Sequence, residues 1–174
     1  MKLLHQLNAR EIPICLLLNR INRMRPISRF FAGISRLGNG VFWYTLMLML
    51  PLIYGGSALY VSLHMGLVGL LGLMIYKLLK GSTLRVRPYH YNTAIFQNVA
   101  ALDQFSFPSG HTLHAVSFTL ILLHYYPEWS YLVIPFAALT AVSRVVLGLH
   151  YPSDVLIGAL IGASLAFSSF LALA

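Results

Sequence analysis

Ser143-Arg144-Val145-Val146-Leu147-Gly148-Leu149-His150-Tyr151-Pro152-Ser153-Asp154 is the stretch on which the reading of this chain turns. It lies between two long apolar runs, Trp129 to about Leu147 and Pro152 to Ala174. Each approaches the roughly 20 apolar residues that an α-helix needs to cross the hydrocarbon core of a bilayer. Between them an arginine, a histidine and a carboxylate fall within twelve residues, at the depth where a membrane helix should meet water. Gly148 suits a turn and Pro152 the first turn of a new helix. The stretch reads as a polar junction between two spans.

Composition points the same way. Of 174 residues, 58% are hydrophobic and 9% charged, whereas a soluble domain has about a quarter of its residues charged. So little charge cannot cover a surface in water, so an integral membrane protein of one domain is expected. The net charge of +8 comes from twelve Lys/Arg against Glu11, Asp103, Glu128 and Asp154. Without a soluble core to carry a basic face, a nucleic-acid partner is not expected. Anionic headgroups of the bilayer or a phosphorylated substrate fit the excess better. Cys15 is the only cysteine, so no internal disulfide is possible. The short run Ile12–Leu18 contains Pro13 and is followed by arginines, which does not suit a cleaved signal peptide.

Upstream of the junction, residues 1–36 mix apolar side chains with arginines and contain no run long enough to span. They suit one or two amphipathic helices lying in the interface, broken near Pro26. Leu37-Gly38-Asn39-Gly40 has turn chemistry. The remaining chain, 37–174, reads as the membrane-embedded domain. Its first span is Val41–Tyr54, with Trp43 and Tyr44 as interface anchors. Gly55-Gly56-Ser57 supplies a turn into Ala58–Leu79, a polar connector of 27 residues follows to Phe107, and Ser109–Tyr126 forms the third span. The fold class is therefore all-α, a membrane helical bundle of about five spans plus an interfacial N-terminal segment. Gly158, Ala159, Gly162, Ala163 and Ser164 offer a small-residue face on the last helix for close contact. His64 reads as a surface or interhelical hydrogen-bonding residue, and His90, His114 and His124 carry no assigned role.

With five spans, the junctions after the second and fourth lie on one side of the membrane. Lys80, Arg85, Arg87, His111, Arg144, His150 and Asp154 can then converge. Flanking of a helix end covers Lys77 and Arg85 but not the recurrence of histidine and aspartate on that side. Pro108-Ser109-Gly110-His111 opens a helix whose N–H groups and dipole favour an anion, with Ser109 as N-cap. There His111 could act as a general acid. His150 and Asp154, four apart, can share a face, with the carboxylate aligning the imidazole as in a triad. His150 would then be the nucleophile toward phosphorus. Lys80, Arg87 and Arg144 would neutralise the phosphoryl oxygens, and Arg87 before Pro88 is held in extended backbone. Zinc bound by His111, His114 and His150 with Asp103 or Asp154 is the competing arrangement. Three converging cations disfavour it.

Lys80-x6-Arg87-Pro88, Pro108-Ser109-Gly110-His111 and Ser143-Arg144-x5-His150-x3-Asp154 together resemble the three-part signature of the type 2 phosphatidic acid phosphatase (PAP2) superfamily, over residues 80–154. The resemblance implies a helical bundle that dephosphorylates membrane lipids with no metal or other cofactor. It makes His150 the nucleophile, Asp154 its partner and His111 the acid and base, with Lys80, Arg87, Ser109, Gly110 and Arg144 as the phosphate cradle. The expected substrate is phosphatidate, phosphatidylglycerol phosphate or undecaprenyl pyrophosphate, cleaved through a phosphohistidine. A lipid phosphotransferase and a non-enzymatic lipid-phosphate binder are the alternatives. In the five-span arrangement all twelve Lys/Arg fall on the active-site side, which the positive-inside rule makes cytoplasmic. The resemblance implies instead a site facing outward from a bacterial cytoplasmic membrane, and that is the orientation expected here.

Overall fold

Among the described residues, 2–173 of a computed structural model, every regular element is helical. Helix α1 (Lys2–Asn19) and a short 3-10 turn lead to Met24, whose extended backbone breaks the chain just before Pro26. Helix α2 (Arg25–Arg36) does not reverse at the Gly-Asn-Gly sequence. It passes through a π-helical turn, kinked at Gly40 with φ 123°, into α3 (Phe42–Tyr54). The expected turn is thus a kink within one 30-residue run, Arg25–Tyr54. Only glycine holds that φ without strain, and a Cβ there would lie 2.5 Å from the Tyr44 ring.

Gly55 turns the chain into α4 (Ser57–Thr83), and a long connector containing the short α5 (Pro88–Tyr91) leads to α6 (Gly110–Tyr125). Helices α7 (Ser130–Val146) and α8 (Pro152–Leu173) complete the bundle. Four helical stretches are long and apolar enough to cross a membrane: Arg25–Tyr54, Ser57–Tyr91, Pro127–Val146 and Pro152–Leu173. The expected third span is α6, which at 16 residues reaches only about 24 Å. It is the central helix, packed against α4, α7 and α8, so nearly all of its surface meets protein.

The tightest seam joins α6 to α8. A Cβ at Gly162 would lie 2.3 Å from the Leu113 carbonyl oxygen, and one at Gly158 2.5 Å from that of Ser109. Only glycine lets the backbones meet, which in lipid replaces the absent hydrophobic drive with close packing. This contact seats the start of α6 beside the start of α8, where the Ser109 amide donates to the Asp154 carbonyl at 3.0 Å. On the other flank Trp43, Phe118 and Phe136 interlock with ring centroids 5.5–5.6 Å apart. Trp43 is 1% exposed, so it anchors the core and not the interface. Tyr44 is exposed, as are Leu48, Leu52, Leu67, Leu71 and Leu78, which form the apolar exterior of α3 and α4.

Candidate active site

The connector after α4 and the α7–α8 loop converge at one end of the bundle, as the polar junctions require. They frame a cavity of about 370 Å³ lined by Lys80, Arg87, Gly110, His111, Arg144 and His150, together with Asn39, Asp103 and His114. Six of the eight residues expected at the site from sequence thus share one cavity wall. The other two stand behind it. Ser109 is fully buried, its Oγ accepting the Thr112 amide at 3.4 Å and pairing with Thr112 Oγ1 at 2.9 Å, so its hydroxyl caps α6. Asp154 is fully buried in the first turn of α8.

Local sequence explains how each group is held. Arg87 has φ −74° and ψ 154°, the extended backbone that Pro88 imposes. Its guanidinium donates from Nη1 to the Leu149 carbonyl at 2.6 Å, from Nε to the Asp103 carbonyl at 3.1 Å, and from Nη2 to Asp103 Oδ1 at 2.8 Å. Gly148, at φ 73°, turns the chain after α7, and a Cβ there would collide with Ile95 at 2.4 Å. The Leu149 and His150 amides both donate to the Arg144 carbonyl at 3.0 Å, which closes the turn and projects the imidazole into the cavity.

Arg87 Nη1 lies 3.3 Å from His150 Nε2. A guanidinium can only donate, so Nε2 keeps its lone pair and the ring proton sits on Nδ1. That nitrogen faces Asp154 Oδ2 at 3.6 Å, too long for a hydrogen bond. Burial, and then the Arg87 and Arg144 cations, hold the His150 pKa well below the ordinary histidine value. The imidazole is thus neutral with its cavity-facing nitrogen unprotonated, the form a nucleophile needs. His111 Nε2 donates to Asn39 Oδ1 at 2.5 Å, so its proton, unlike that of His150, points toward the cavity.

Three cations face this space with one carboxylate among them. Lys80 Nζ donates to Asp103 Oδ1 and Oδ2 at 2.7 and 2.9 Å, and Arg87 shares Oδ1. Burial pushes the Asp103 carboxyl up, but the Lys80 and Arg87 cations outweigh it and hold its pKa below the usual carboxylate range. Arg144 is 2% exposed, donates from Nη1 to Ser35 Oγ, and its Nε has no hydrogen-bond partner. No carboxylate among the described residues pairs with it. A buried guanidinium without a counter-ion is costly, and an anion in the cavity is what would satisfy it. Zinc finds less support. Both His114 nitrogens lie within 3.0 Å of backbone carbonyls, those of Gly110 and Gly69. Among the described residues no three His, Cys, Asp or Glu side chains converge as metal ligands.

Several groups at the site carry no signature in the sequence. Asp103 stands in the connector without a motif. Arg85, expected on the converging side but with no role that flanking a helix end would not cover, is 2% exposed and ion-paired to Asp154 at 2.6 Å. Ser35 and Asn39 come from the segment before the first expected span. Of the two bases that flanking accounts for, only Lys77 is exposed.

Residues 61–173 match the PAP2 superfamily. The chain is 24% identical to an undecaprenyl-diphosphatase of Sulfolobus acidocaldarius over 85% of its own length and 71% of that protein's. Several other curated relatives align over less than half of their length, 28% for a bacitracin transport permease BcrC of Bacillus licheniformis and 38% for a lipid A 1-phosphatase of Rhizobium johnstonii. In fold it resembles the crystal structure of Aquifex aeolicus LpxE, with a TM-score of 0.80 and 25% identity over 92% of this chain and 94% of that one. The transmembrane PAP2-type phosphatidylglycerolphosphate phosphatase of Bacillus subtilis gives 0.75 and 26% over 94% and 84%. A matched domain that carries all three polar junctions, on a bundle shared with a solved transmembrane PAP2-type phosphatase, leaves one assignment: the chain belongs to the PAP2 superfamily, as a membrane-embedded phosphatase.

Proposed function

We propose that the protein hydrolyses the phosphomonoester or pyrophosphate of a membrane lipid through a phosphohistidine intermediate. The observation that carries this reading is Arg144, a buried guanidinium with no carboxylate partner, on the same cavity as a neutral histidine with its lone pair turned inward. In the proposed step His150 Nε2 attacks phosphorus and the bond to the leaving oxygen breaks. His111, as the imidazolium, gives that oxygen a proton from Nε2 and, now neutral, takes one from the water that cleaves the phosphohistidine. Lys80, Arg87 and Arg144 balance the charge on the equatorial oxygens, and the start of α6 at Gly110 adds its N–H groups. Asp103 already bridges Lys80 and Arg87, in the manner a phosphate oxygen would.

The lipid character of the substrate rests on the rest of the cavity. Away from the cations its wall is Trp43, Tyr44, Met47, Gly66, Gly69, Leu70 and Leu73, on α3 and α4. Tyr44 and Leu70 are also exposed on the outer face of the bundle, so the polar pocket is continuous with a surface suited to an acyl or prenyl tail. Phosphatidate, phosphatidylglycerol phosphate and undecaprenyl pyrophosphate all present such a tail. Orthophosphate release from these lipids by the purified protein in EDTA tests the reading, and His150→Ala should abolish it. Activity that requires an added divalent cation, or that survives His150→Ala, would overturn it. We also propose that the site faces outward from a bacterial cytoplasmic membrane, its basic N-terminal helices lying on the anionic outer leaflet. Maleimide labelling of intact cells should reach Thr93→Cys and spare Glu128→Cys, both positions being exposed and the native Cys15 buried. The opposite pattern reverses the orientation.

A further inference from the structure

The carboxylate behind His150 is held chiefly by groups other than the histidine. Asp154 Oδ1 accepts from Arg85 Nη1 at 2.6 Å and Oδ2 from the Tyr151 amide at 2.9 Å, while His150 Nδ1 stands off at 3.6 Å. Arg85 is fully engaged. Its Nη1 also reaches Ser153 Oγ at 2.7 Å, Nε donates to Asn8 Oδ1 at 2.9 Å, and Nη2 lies 3.4 Å from Glu11 Oε1. The guanidinium lies over the Tyr151 ring, 4.0 Å from its centroid. Glu11 Oε2 in turn accepts from the Ser153 amide and hydroxyl at 3.1 and 3.0 Å. Asn8, Glu11 and Arg85 are each at most 8% exposed. Asn8 and Glu11 belong to α1, outside the residues that match the superfamily.

Resting on the assignment of His150 and Asp154 to catalysis, we infer that Arg85 and Glu11 are positioning residues for the catalytic carboxylate, so that α1 must be docked for turnover. Arg85 fixes Oδ1 and thereby presents Oδ2 to the imidazole. Alone it would also cancel the charge that Asp154 offers to a histidine becoming cationic as it attacks. Glu11 prevents this. One guanidinium shared by two carboxylates leaves the cluster with a net negative charge behind His150. Neither Arg85 nor Glu11 lines the substrate cavity, so both act on the rate of the bound complex and not on substrate capture.

The alternative is a staple that only ties α1 to the bundle, and a double-mutant cycle separates the two. Arg85→Lys and Glu11→Gln are measured in wild-type and Asp154→Asn backgrounds, with kcat, KM and orthovanadate inhibition as readouts. We expect each to lower kcat about 10-fold or more, the scale of an outer-shell contact, with KM and vanadate inhibition unchanged. In the Asp154→Asn background each should cost less than about 2-fold, because coupled residues do not add. The same loss in both backgrounds, or KM and vanadate inhibition weakening in step with kcat, overturns the inference. If Arg85→Lys is not recovered folded, the Glu11→Gln cycle decides by the same criterion. An active His150→Ala defeats the catalytic assignment itself. An inactive His150→Ala beside wild-type rates for Arg85→Lys and Glu11→Gln defeats only the positioning role.

Discussion

Both ends of the bundle gather polar side chains against an apolar body, but they satisfy them differently. At the far end from the cavity, Tyr54 Oη donates to Glu128 Oε1 at 2.6 Å and accepts from Trp129 Nε1 at 3.0 Å, and its ring stacks on Tyr126 at 4.3 Å. His64 bridges α6 and α8 through Tyr125 Oη at 3.2 Å and Ser169 Oγ at 2.8 Å, which is the interhelical role open to it from sequence. These groups are mostly neutral and have their partners within the protein. The lone acid there, Glu128, is exposed. At the cavity end the cations Lys80, Arg87 and Arg144 are buried, positive charge exceeds negative, and Arg144 has no acid to pair with. No lysine or arginine lies between Arg36 and Lys77, between Arg87 and Arg144, or after Arg144, so the cations are confined to one end. Self-satisfied polar groups anchor a helix bundle at a membrane surface, whereas a buried cationic excess needs a ligand to complete it.

The contrast can be broken most directly at His150. His150→Ala should remove phosphatase activity by at least about 10³-fold, the usual scale for loss of a nucleophile, with the protein still folded by size-exclusion chromatography in detergent. Activity within 10-fold of wild type would mean that the cavity end is an anion-binding site and not a catalytic one. Next in size, Arg144→Ala should lower kcat by about 10²–10³-fold, as expected for removal of a preorganised donor to developing charge. Because it removes a buried unpaired charge, thermal stability should not fall, and a large drop in melting temperature would argue that Arg144 is structural.

A smaller effect is expected in the pH profile. In the proposed step the neutral form of His150 is the reactive one, and its pKa is depressed by burial, Arg87 and Arg144. Activity should therefore persist as pH falls through the ordinary histidine range and decline only below it. An acid limb of kcat/KM at or above the ordinary histidine value would show that the cations do not act on His150. The smallest effect belongs to the far end. Tyr54→Phe removes a solvent-exposed hydrogen bond, so it should lower the melting temperature only slightly and leave kcat unchanged. A changed kcat would mean that the two ends are coupled through α3 and α4.

Much of this site is legible in the chain because the chemistry sits at helix boundaries. A histidine, arginine or aspartate at the edge of an apolar run stands out whatever the tertiary structure, and His111, Arg144, His150 and Asp154 were readable on that ground. Arg85 was not, because an arginine at a helix end looks the same whether it faces headgroups or a buried carboxylate. Its partners Asn8, Glu11 and Asp154 lie 77, 74 and 69 residues away, beyond any local pattern. In sequence Asn39 reads as part of a turn, yet the chain there stays helical through a π turn and directs it at His111. Trp43 reads as an interface anchor because aromatic residues at span ends commonly are, but α4, α6 and α7 enclose it in the core.

What the sequence determined by itself is the helical membrane architecture and the type of chemistry. Both follow from properties read along one dimension, the length of apolar runs and the identity of the polar residues that interrupt them. Only the tertiary structure decided how charge is distributed among those residues. Asp154 is committed to Arg85, Asp103 spans Lys80 and Arg87, and Arg144 is left without an acidic partner. Ion pairing falls off over a few ångströms, and those distances are set when α1 folds back on the α7–α8 junction and the glycines of α8 admit α6. The stretch from Ser143 to Asp154 names the candidate reactive groups, and the packing around it decides which of them are held by partners within the protein.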